Sequence, residues 1–346
     1  MKGYVLDPST AGEHDLGSAL AEEAFVGGKR VRRKGHLISA EDFPILQQLD
    51  APVHAVRFEP GDLHEDQAGL EIAQIVMGDG LERRGPVQSR YNLVATAKGV
   101  LHVDVARLAR INALHGLAVF TLPDHLVVVP GRVCAGVKIT PVGVPDSIVL
   151  EASTIAGKNR VVRVKPFVPK RVGVITTERM AEPVRERFRS MVSSKIGWYG
   201  SRITAFEEPP LEVGAVAAAM RSLIDGGAEV LLLAGGNTID PMDPALLALP
   251  AIGAQMTRFG APAHPGSMFW MAQCGEVALI NLASCSMYSK STVADLVLPW
   301  VFTGERVTTE QLDALGHGGL LDRGMGWRFP PYDVDSVIEG DEGDGS

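Results

Sequence analysis

Cysteine is scarce in this chain, with three residues in 346. Three thiols cannot build a disulfide framework, and the spacing of Cys134, Cys274 and Cys285 is not that of a metal site. So few cysteines are typical of a protein in a reducing compartment, and we expect a cytoplasmic location. We also expect no signal peptide, because residues 1–10 contain no apolar core.

Long apolar runs and a surplus of positive charge are missing as well. No apolar stretch approaches the roughly 20 residues that a membrane span needs, so we expect no membrane partner. The formal net charge of −8 leaves no basic surplus to neutralise phosphates, which argues against a nucleic-acid partner. The one basic run, residues 29–34, is interpreted as a solvated strand or loop.

Strands and helices alternate in the second half of the chain. Apolar segments at 172–176, 202–206 and 231–233 are predicted strands, with helices predicted after Pro183 and over 211–224. This alternation is typical of a parallel sheet with right-handed crossovers. We therefore expect an α/β fold, in which a three-layer domain with a mostly parallel sheet follows a smaller α+β domain.

The change of pattern along the chain predicts four regions. Residues 1–19 are a polar N-terminal segment, and residues 20–165 mix short strands and helices in an α+β domain. A linker rich in proline and basic residues leads to the α/β domain at 171–305. Residues 306–346 are Gly-rich and then acidic, and we expect them to be irregular.

Two helices of the N-terminal half have recognisable start signals. Asp62 and Glu65 have the spacing of a capping box, which predicts a helix from this point. Asp104 is predicted to cap a second helix, whose inner face includes Val105 and Ile111.

The most informative segment is the loop that follows the predicted strand at 231–233. Ligands of open α/β sheets bind outside the carboxyl ends of the strands, and paired glycines let backbone amides approach an anion closely. The loop combines two glycines, two small polar residues and two acids: Gly235, Gly236, Asn237, Thr238, Asp240 and Asp243.

The two aspartates of this loop admit two interpretations. Asp243 stands before Pro244, which is the pattern of a helix N-cap with proline at the first helical position, and Asp240 before Pro241 suits a turn. Together they also offer two hard carboxylates, which would suit Mg²⁺ bound with a phosphate. Asp240 and Asp243 are therefore the candidate catalytic and metal-binding residues.

A second candidate loop contains Pro265, Gly266 and Ser267. Pro-Gly is a turn signal by itself, so a purely structural role is an equal alternative. In the functional interpretation, the backbone amides and the Ser267 hydroxyl contact a ligand.

The third candidate loop precedes the last predicted helix, which begins near residue 291. A phosphate at a helix N-terminus gains from free N–H groups and from the helix dipole, and a lysine adds a full charge. The alternative is that Ser291 or Thr292 simply caps the helix. The candidate ligands are Ser284, Ser286, Ser289, Lys290 and Ser291.

These three loops carry a family resemblance. Residues 171–305 resemble the molybdopterin-binding domain shared by molybdenum cofactor biosynthesis proteins. The likeness lies in the opening strand at 173–177, in the loop at 235–243, and in Pro265-Gly266 followed by the loop at 284–292. In the N-terminal half, residues 61–66, 90–94 and 138–141 resemble a divergent two-domain branch of molybdopterin-binding proteins.

The resemblance implies that molybdopterin, or its adenylylated form, lies across the three loops. Family members adenylylate this pterin or insert molybdenum into it, so a transferase that uses Mg²⁺, molybdate and ATP is implied. Asp243 occupies the position of the family's catalytic aspartate. Implied partners are the pterin, molybdenum enzymes or other cofactor-assembly proteins, and a second copy of the chain.

Two other functions remain open at this stage. The protein can be a carrier that delivers the molybdenum cofactor to its target enzyme without catalysis, or a hydrolase of pyridine nucleotides on the same fold. In the N-terminal half, Glu65, Arg90 and Asn92 are candidate cleft residues, although capping by Glu65 and surface pairing of Arg90 explain them equally well.

Overall fold

The structure is a computed structural model that describes residues 1–235, 238–282 and 289–337. Internal contacts divide the chain into two units. The N-terminal unit consists of residues 1–96, 101–125 and 131–164, and the C-terminal unit of residues 97–100, 126–130 and 165 onward. The domain boundaries predicted from the sequence stay a prediction. No local sequence pattern predicts that residues 97–100 and 126–130 belong to the C-terminal unit.

The described residues form both strands and helices along the chain. The strands are β1 Lys2–Leu6, β2 Ala19–Leu20, β3 Ala24–Val26, β4 Lys29–Arg32, β5 Val53–Arg57, β6 Asp62–His64, β7 Leu81–Val87, β8 Arg90–Ala95, β9 Gly99–Val103, β10 Leu117–Thr121, β11 Val127–Val128, β12 Val133–Ile139, β13 Gly143–Pro145, β14 Val162–Pro166, β15 Arg171–Thr176, β16 Arg202–Glu207, β17 Val230–Ala234, β18 Gln255–Phe259, β19 Trp270–Cys274 and β20 Val277–Leu282. The α-helices are α1 Phe43–Leu46, α2 Glu65–Val76, α3 Val105–Asn112, α4 Asp146–Ala156, α5 Glu182–Trp198, α6 Val213–Asp225, α7 Pro244–Ala248, α8 Val293–Phe302 and α9 Thr309–Ala314.

The N-terminal unit contains small antiparallel sheets and the helices that pack on them. One sheet has the order β1-β5-β2, and a second has the order β10-β12-β8-β7. Helix α2 packs against β8 and β12. It buries Ala68, Ile72, Ala73 and Val76, because these residues recur at the spacing of one helical face.

The two predicted helix starts of this unit have different outcomes. The N-cap of α2 is His64, whose Nδ1 accepts a hydrogen bond from the backbone N–H of Asp66 at 3.2 Å, so a capping box from Asp62 to Glu65 does not form. Asp104 does cap α3, accepting from the N–H of Arg107 at 2.9 Å. Ile111 is buried as expected, but Val105 at the first helical position is 60% exposed.

The basic run is held by a buried carboxylate. Its first part forms β4, while Lys29, Arg30, Arg33 and Lys34 are exposed, as expected for a solvated strand or loop. Only Arg32 turns inward, and its Nε donates to Asp42 Oδ1 at 2.7 Å.

Asp42 also accepts hydrogen bonds from the backbone N–H of Ser39 at 2.8 Å and from His36 Nε2 at 2.8 Å. Burial alone would raise the pKa of the Asp42 carboxyl, but the hydrogen bonds from Ser39, His36 and Arg32 outweigh burial and hold the pKa well below its usual range.

The C-terminal unit contains a six-stranded sheet with the order β16-β15-β17-β20-β19-β18. The first four strands in this order, β16, β15, β17 and β20, are parallel to one another. Strands β19 and β18 extend the sheet in antiparallel pairing. The observed sheet is therefore mostly parallel, as the α/β interpretation requires.

Helices cover both faces of this sheet. Val230 and Leu232 share one buried cluster with residues of α5 and α8, whereas Leu231 and Leu233 share another with residues of α6 and α7. Successive side chains of a strand point to opposite faces, so an uninterrupted apolar strand indicates a sheet between two helical layers. In the described parts of the chain, no helix is long and apolar enough to cross a membrane.

We predict that Asp42→Asn lowers the free energy of unfolding by about 2 kcal/mol near neutral pH, because hydrogen bonds to a charged group are lost. The folded pKa lies below the unfolded one. The stabilisation is therefore complete above the unfolded value of about 4 and declines as the pH falls toward the folded value. The difference from the wild type should shrink between pH 5 and pH 3. Urea unfolding followed by circular dichroism measures it.

The matched control is Glu41→Gln, one residue earlier and exposed, which should change stability by less than about 0.5 kcal/mol. A loss from Asp42→Asn that is equal at pH 5 and pH 3 would contradict the charged role of Asp42.

Candidate functional site

Three parallel strands end at the same edge of the sheet, and two of them lead into candidate loops, β17 into the first and β20 into the third. Thr176, Ala234 and Leu282 are lateral neighbours at the carboxyl ends of β15, β17 and β20. The backbone N–H of Thr177 donates to the carbonyl of Ala234 at 2.9 Å, and that of Gly235 donates to the carbonyl of Leu282 at 3.3 Å. The segments that follow these strands therefore start side by side, at the edge where the sequence predicts a ligand.

The first loop begins with a glycine that no other residue can replace without strain. Gly235 has a φ of +85°, and a Cβ added to it would lie 2.6 Å from Cβ of Glu178. Both the left-handed backbone and the close approach of Glu178 exclude a side chain here. Gly236 and Asn237 lie outside the described residues.

Thr238 ties the first loop to the second. Its Oγ1 donates to the carbonyl oxygen of Met268 at 2.9 Å, directly after Ser267. The buried Asn281 side chain donates through Nδ2 to Thr238 Oγ1 at 3.3 Å and to the Met268 carbonyl at 3.1 Å. Asn281 was not a candidate from sequence. The signal for it is a lone amide inside the apolar strand β20.

Both aspartates of the first loop bond to backbone N–H groups. Asp240 Oδ1 accepts from the N–H of Met242 at 2.9 Å. Asp243 is buried and caps α7, with Oδ1 accepting from the N–H of Ala245 at 2.8 Å and Pro244 at the first helical position. The capping interpretation of Asp243 is therefore confirmed.

Among the described residues, no group of three acidic, His or Cys ligand atoms includes Asp240 or Asp243. Within the part of the chain that the structure describes, the two carboxylates by themselves do not complete the six oxygen ligands that Mg²⁺ favours, so water and substrate phosphates would have to supply the others.

The second loop packs against the start of α8. Gly266 has a φ of +107°, and a Cβ added to it would lie 2.8 Å from the backbone nitrogen of Val293. That N–H donates to the carbonyl of Pro265 at 3.2 Å. The Ser267 hydroxyl lies 3.5 Å from His264 Nδ1.

The Gly-rich segment at 316–319 is hydrogen-bonded to His264, at the start of the second loop. The N–H of His264 donates to the carbonyl of Gly319 at 2.8 Å, and the N–H of Leu321 donates to the carbonyl of His264 at 2.8 Å. Gly319 approaches Pro262 so closely that an added Cβ would lie 2.4 Å from its carbonyl oxygen. Glycine is required here for packing. The region predicted as irregular also contains helix α9.

The third loop meets the second at α8. Ser284 and Ser286 lie outside the described residues. Ser289 Oγ accepts from the N–H of Ser291 at 3.1 Å, and Lys290 Nζ forms an exposed ion pair with Asp333 at 2.9 Å. Thr292 caps α8, so the capping alternative holds for this residue and not for Ser291.

A buried ion pair lies beneath the third loop. Lys195 Nζ on α5 is 2.7 Å from Asp295 Oδ1 on α8, and both side chains are almost fully buried. The same ammonium donates to the Ser289 carbonyl. Asp295 Oδ2 accepts from the N–H and the hydroxyl of Thr292 at 3.0 and 2.9 Å. Lys195 thus connects α5 to the loop that carries Lys290.

Two tyrosines complete this buried network. Tyr332 donates its hydroxyl to Asp295 Oδ1 at 2.8 Å, and the hydroxyls of Tyr332 and Tyr199 are 3.2 Å apart. Burial raises the pKa of both tyrosines well above the usual value, so both stay neutral donors at physiological pH. The sequence signal for Lys195 is a lysine on the face of α5 that also carries the buried Phe188 and Val192.

A cavity of about 530 Å³ opens beside the first loop. Its lining includes Thr176, Thr177, Glu178, Arg179 and Arg185, at the carboxyl end of β15. This volume lies in the range of small-molecule sites, and the lining is mixed, since Met180, Pro209 and Leu211 also contribute to it. Glu178 also packs against Gly235, so the cavity and the first loop are neighbours.

Comparisons with known proteins give the following. No protein-family model matches the chain, and no curated protein matches it. A search of solved structures finds a molybdopterin biosynthesis MoeA protein from Pyrococcus horikosii, with 13% identity, a TM-score of 0.32, and coverage of 70% of this chain and 80% of that chain. It also finds the molybdopterin biosynthesis enzyme MoaB from Thermus thermophilus, with 17% identity, a TM-score of 0.28, and coverage of 39% and 98%. A third similar structure is the protein CinA of unknown function from Thermoplasma acidophilum, with 11% identity, a TM-score of 0.28, and coverage of 34% and 90%. At this level of likeness, the function has to be sought in the residues of the site.

We predict that Gly235→Ala lowers the free energy of unfolding by about 2–3 kcal/mol, because it combines an unfavourable backbone conformation with a steric clash. The control is Gly253→Ala, at a φ of +72° with nothing within 4 Å of the added Cβ, where about 1 kcal/mol is expected. Urea unfolding followed by tryptophan fluorescence is suitable, since all four tryptophans lie in the C-terminal unit. Equal losses from the two variants would contradict the close contact at Gly235.

We also predict that Lys195→Met destabilises the C-terminal unit by about 3–5 kcal/mol, because the buried Asp295 carboxylate loses its partner. Adding Asp295→Asn to this variant should restore part of the loss. Tyr332→Phe, which removes one hydrogen bond, should cost only about 1–2 kcal/mol. The same fluorescence assay measures all three variants. If Lys195→Met costs no more than Tyr332→Phe, the ion pair is not the main support of the loop.

Proposed function

We propose that the C-terminal unit binds molybdopterin or its adenylylated form, and that the protein acts in molybdenum cofactor assembly. The observation that carries this proposal is the meeting of three loops at one sheet edge. Gly235 is bonded to Leu282, Thr238 to Met268, and Val293 to Pro265. These are the segments on which the sequence resembles the molybdopterin-binding domain.

The terminal phosphate of the ligand is assigned to the third loop. Lys290 supplies the full charge, and the hydroxyls of Ser289 and Ser291 supply hydrogen bonds. The N–H groups of Thr292 and Val293 are already bonded within the chain, so the α8 terminus contributes less than a free helix end would. Asp333 is 84% exposed at its side chain, and an exposed ion pair is worth only about 0–1 kcal/mol. A phosphate can therefore displace Asp333 from Lys290.

The pterin end is assigned to the first and second loops. Gly235, Gly236, Asn237 and Thr238 offer backbone groups with few side chains in the way. Pro265, Gly266 and Ser267 form the facing wall in this proposal. Catalysis of a transfer step would come from alignment of the ligand and from charge neutralisation, without a covalent intermediate.

Asp240 and Asp243 decide between an enzyme and a carrier. In an adenylyl or molybdenum transferase, they would hold Mg²⁺ together with substrate phosphates. The carrier is the second candidate, and a specific observation favours it, since each aspartate already accepts a hydrogen bond from a backbone N–H. A carrier needs binding and release, but no catalytic carboxylate.

The decisive experiment is calorimetric titration of the full chain with molybdopterin, with and without Mg²⁺. We expect micromolar binding in the wild type and a loss of about tenfold in Lys290→Met, because one charge-assisted hydrogen bond is removed. Asp333→Asn should tighten binding up to about fivefold by freeing Lys290. The control is Asp225→Asn, an exposed carboxylate at the end of α6, away from the loops.

Absence of binding in the wild type would overturn the proposal, as would binding that neither Lys290→Met nor Asp333→Asn changes. Given binding, turnover with ATP and molybdate that disappears in Asp243→Asn identifies a transferase. Binding without turnover identifies a carrier. Cleavage of a pyridine dinucleotide in the absence of any pterin would assign the hydrolase alternative.

A further inference from the structure

The N-terminal unit contains two adjoining cavities that the pterin proposal does not use. Their volumes are about 480 and 670 Å³. They share five lining residues: Arg30, Arg33, Lys34, Glu65 and Ser89. The larger cavity also reaches Lys138 on β12. Side chains that are distant in sequence therefore converge on one concave, polar region.

Positive charge dominates the lining of these cavities. Arg30 is paired with Glu23 at 2.7 Å. Within the described part of the chain, Arg33, Lys34 and Lys138 have no acidic group within ion-pair distance. Unpaired cations that converge on a cavity create a local positive potential, even in a chain with a net charge of −8.

The backbone that carries Arg33 and Lys34 is fixed on both sides. Arg32 and His36 are anchored on the buried Asp42. Since His64 Nδ1 accepts a hydrogen bond, its Nε2 carries the proton and donates to the carbonyl of Gly35 at 2.8 Å. The two exposed cations thus extend from a held loop, which lowers the entropy lost on binding.

Close packing also fixes Glu65 in this region. Gly35 has a φ of +79°, and a Cβ added to it would lie 2.1 Å from Glu65 Oε1. The residue is only 8% exposed, although it carries a carboxyl group. Burial raises its pKa, against the opposing effects of a hydrogen bond from Ser89 and the charge of Lys138.

The β7–β8 hairpin brings Ser89 to the lining of both cavities. Gln88 and Ser89 are the two residues between these strands, and their φ values are +50° and +60°. A tight two-residue hairpin turn requires positive φ at both central residues, so the turn fixes the position of Ser89.

We propose that these cavities are an anion site for a phosphate-bearing small molecule, distinct from the site of the C-terminal unit. Arg33, Lys34 and Lys138 hold the phosphoryl oxygens, and Ser89 adds a hydrogen bond. The volume suits a ligand of nucleotide size, since small-molecule sites span about 300–1,000 Å³. A concave site in an acidic protein favours a small ligand over a nucleic acid or a membrane surface.

The test is calorimetric titration of the full chain with pyrophosphate at constant ionic strength. We expect saturable binding that weakens tenfold or more in Arg33→Ala and in Lys138→Ala. The matched control is Lys29→Ala, an exposed lysine of the same hairpin that lines neither cavity, where the change should stay within twofold. Glu65→Gln removes the negative charge of the carboxylate, which opposes a bound anion, so it should tighten binding severalfold.

Three results would overturn the proposal. They are no saturable binding, equal weakening by Lys29→Ala and Arg33→Ala, or weaker binding in a folded Glu65→Gln variant. A lipid source of phosphate is separated by sedimentation with vesicles that contain phosphatidic acid. Binding to these vesicles without binding of pyrophosphate would also count against a small-molecule site. Lys290→Met, which removes the lysine assigned to the phosphate in the C-terminal unit, should leave this pyrophosphate binding unchanged, which keeps the outcome separate from the pterin proposal.

Discussion

The parallel hydrogen-bond register of β15, β17 and β20 is the constraint on which the candidate site depends. Because Thr176, Ala234 and Leu282 are lateral partners, the chain must leave the sheet three times at one edge. Hydrogen bonds then join the candidate loops, from Thr238 to Met268 and from Val293 to Pro265. Side chains packed on both faces of the sheet fix these strand ends, and the strand ends in turn fix where the loops begin.

Several charged side chains of this protein have a structural role that does not depend on any function. Asp243 caps α7, Asp42 holds the basic run, and the Lys195–Asp295 pair supports the loop that carries Lys290. A buried ion pair contributes little net stability, but it fixes geometry, because removing one partner is costly. The exposed pair of Lys290 with Asp333 is different, since solvent screening makes it easy to exchange.

Local patterns in the sequence predicted the sheet and part of the helix ends. The apolar run that ends at Ala234 indicated a strand buried on both faces, and Asp104 capped its helix as expected. Two local predictions failed. His64 rather than Asp62 caps α2, and its ring also donates to the carbonyl of Gly35, 29 residues earlier. Val105 is exposed, since the packing of α3 decides which residues of its first turn are covered.

The sequence by itself determined the α/β pattern and the candidate loops, because periodicity and turn chemistry act over a few residues. Only the tertiary structure decided which groups meet. The roles of Lys195 and Asn281, and the cavity shared by Arg33, Glu65 and Lys138, depend on contacts between distant segments. Such contacts follow from strand order and core packing, which no local pattern specifies.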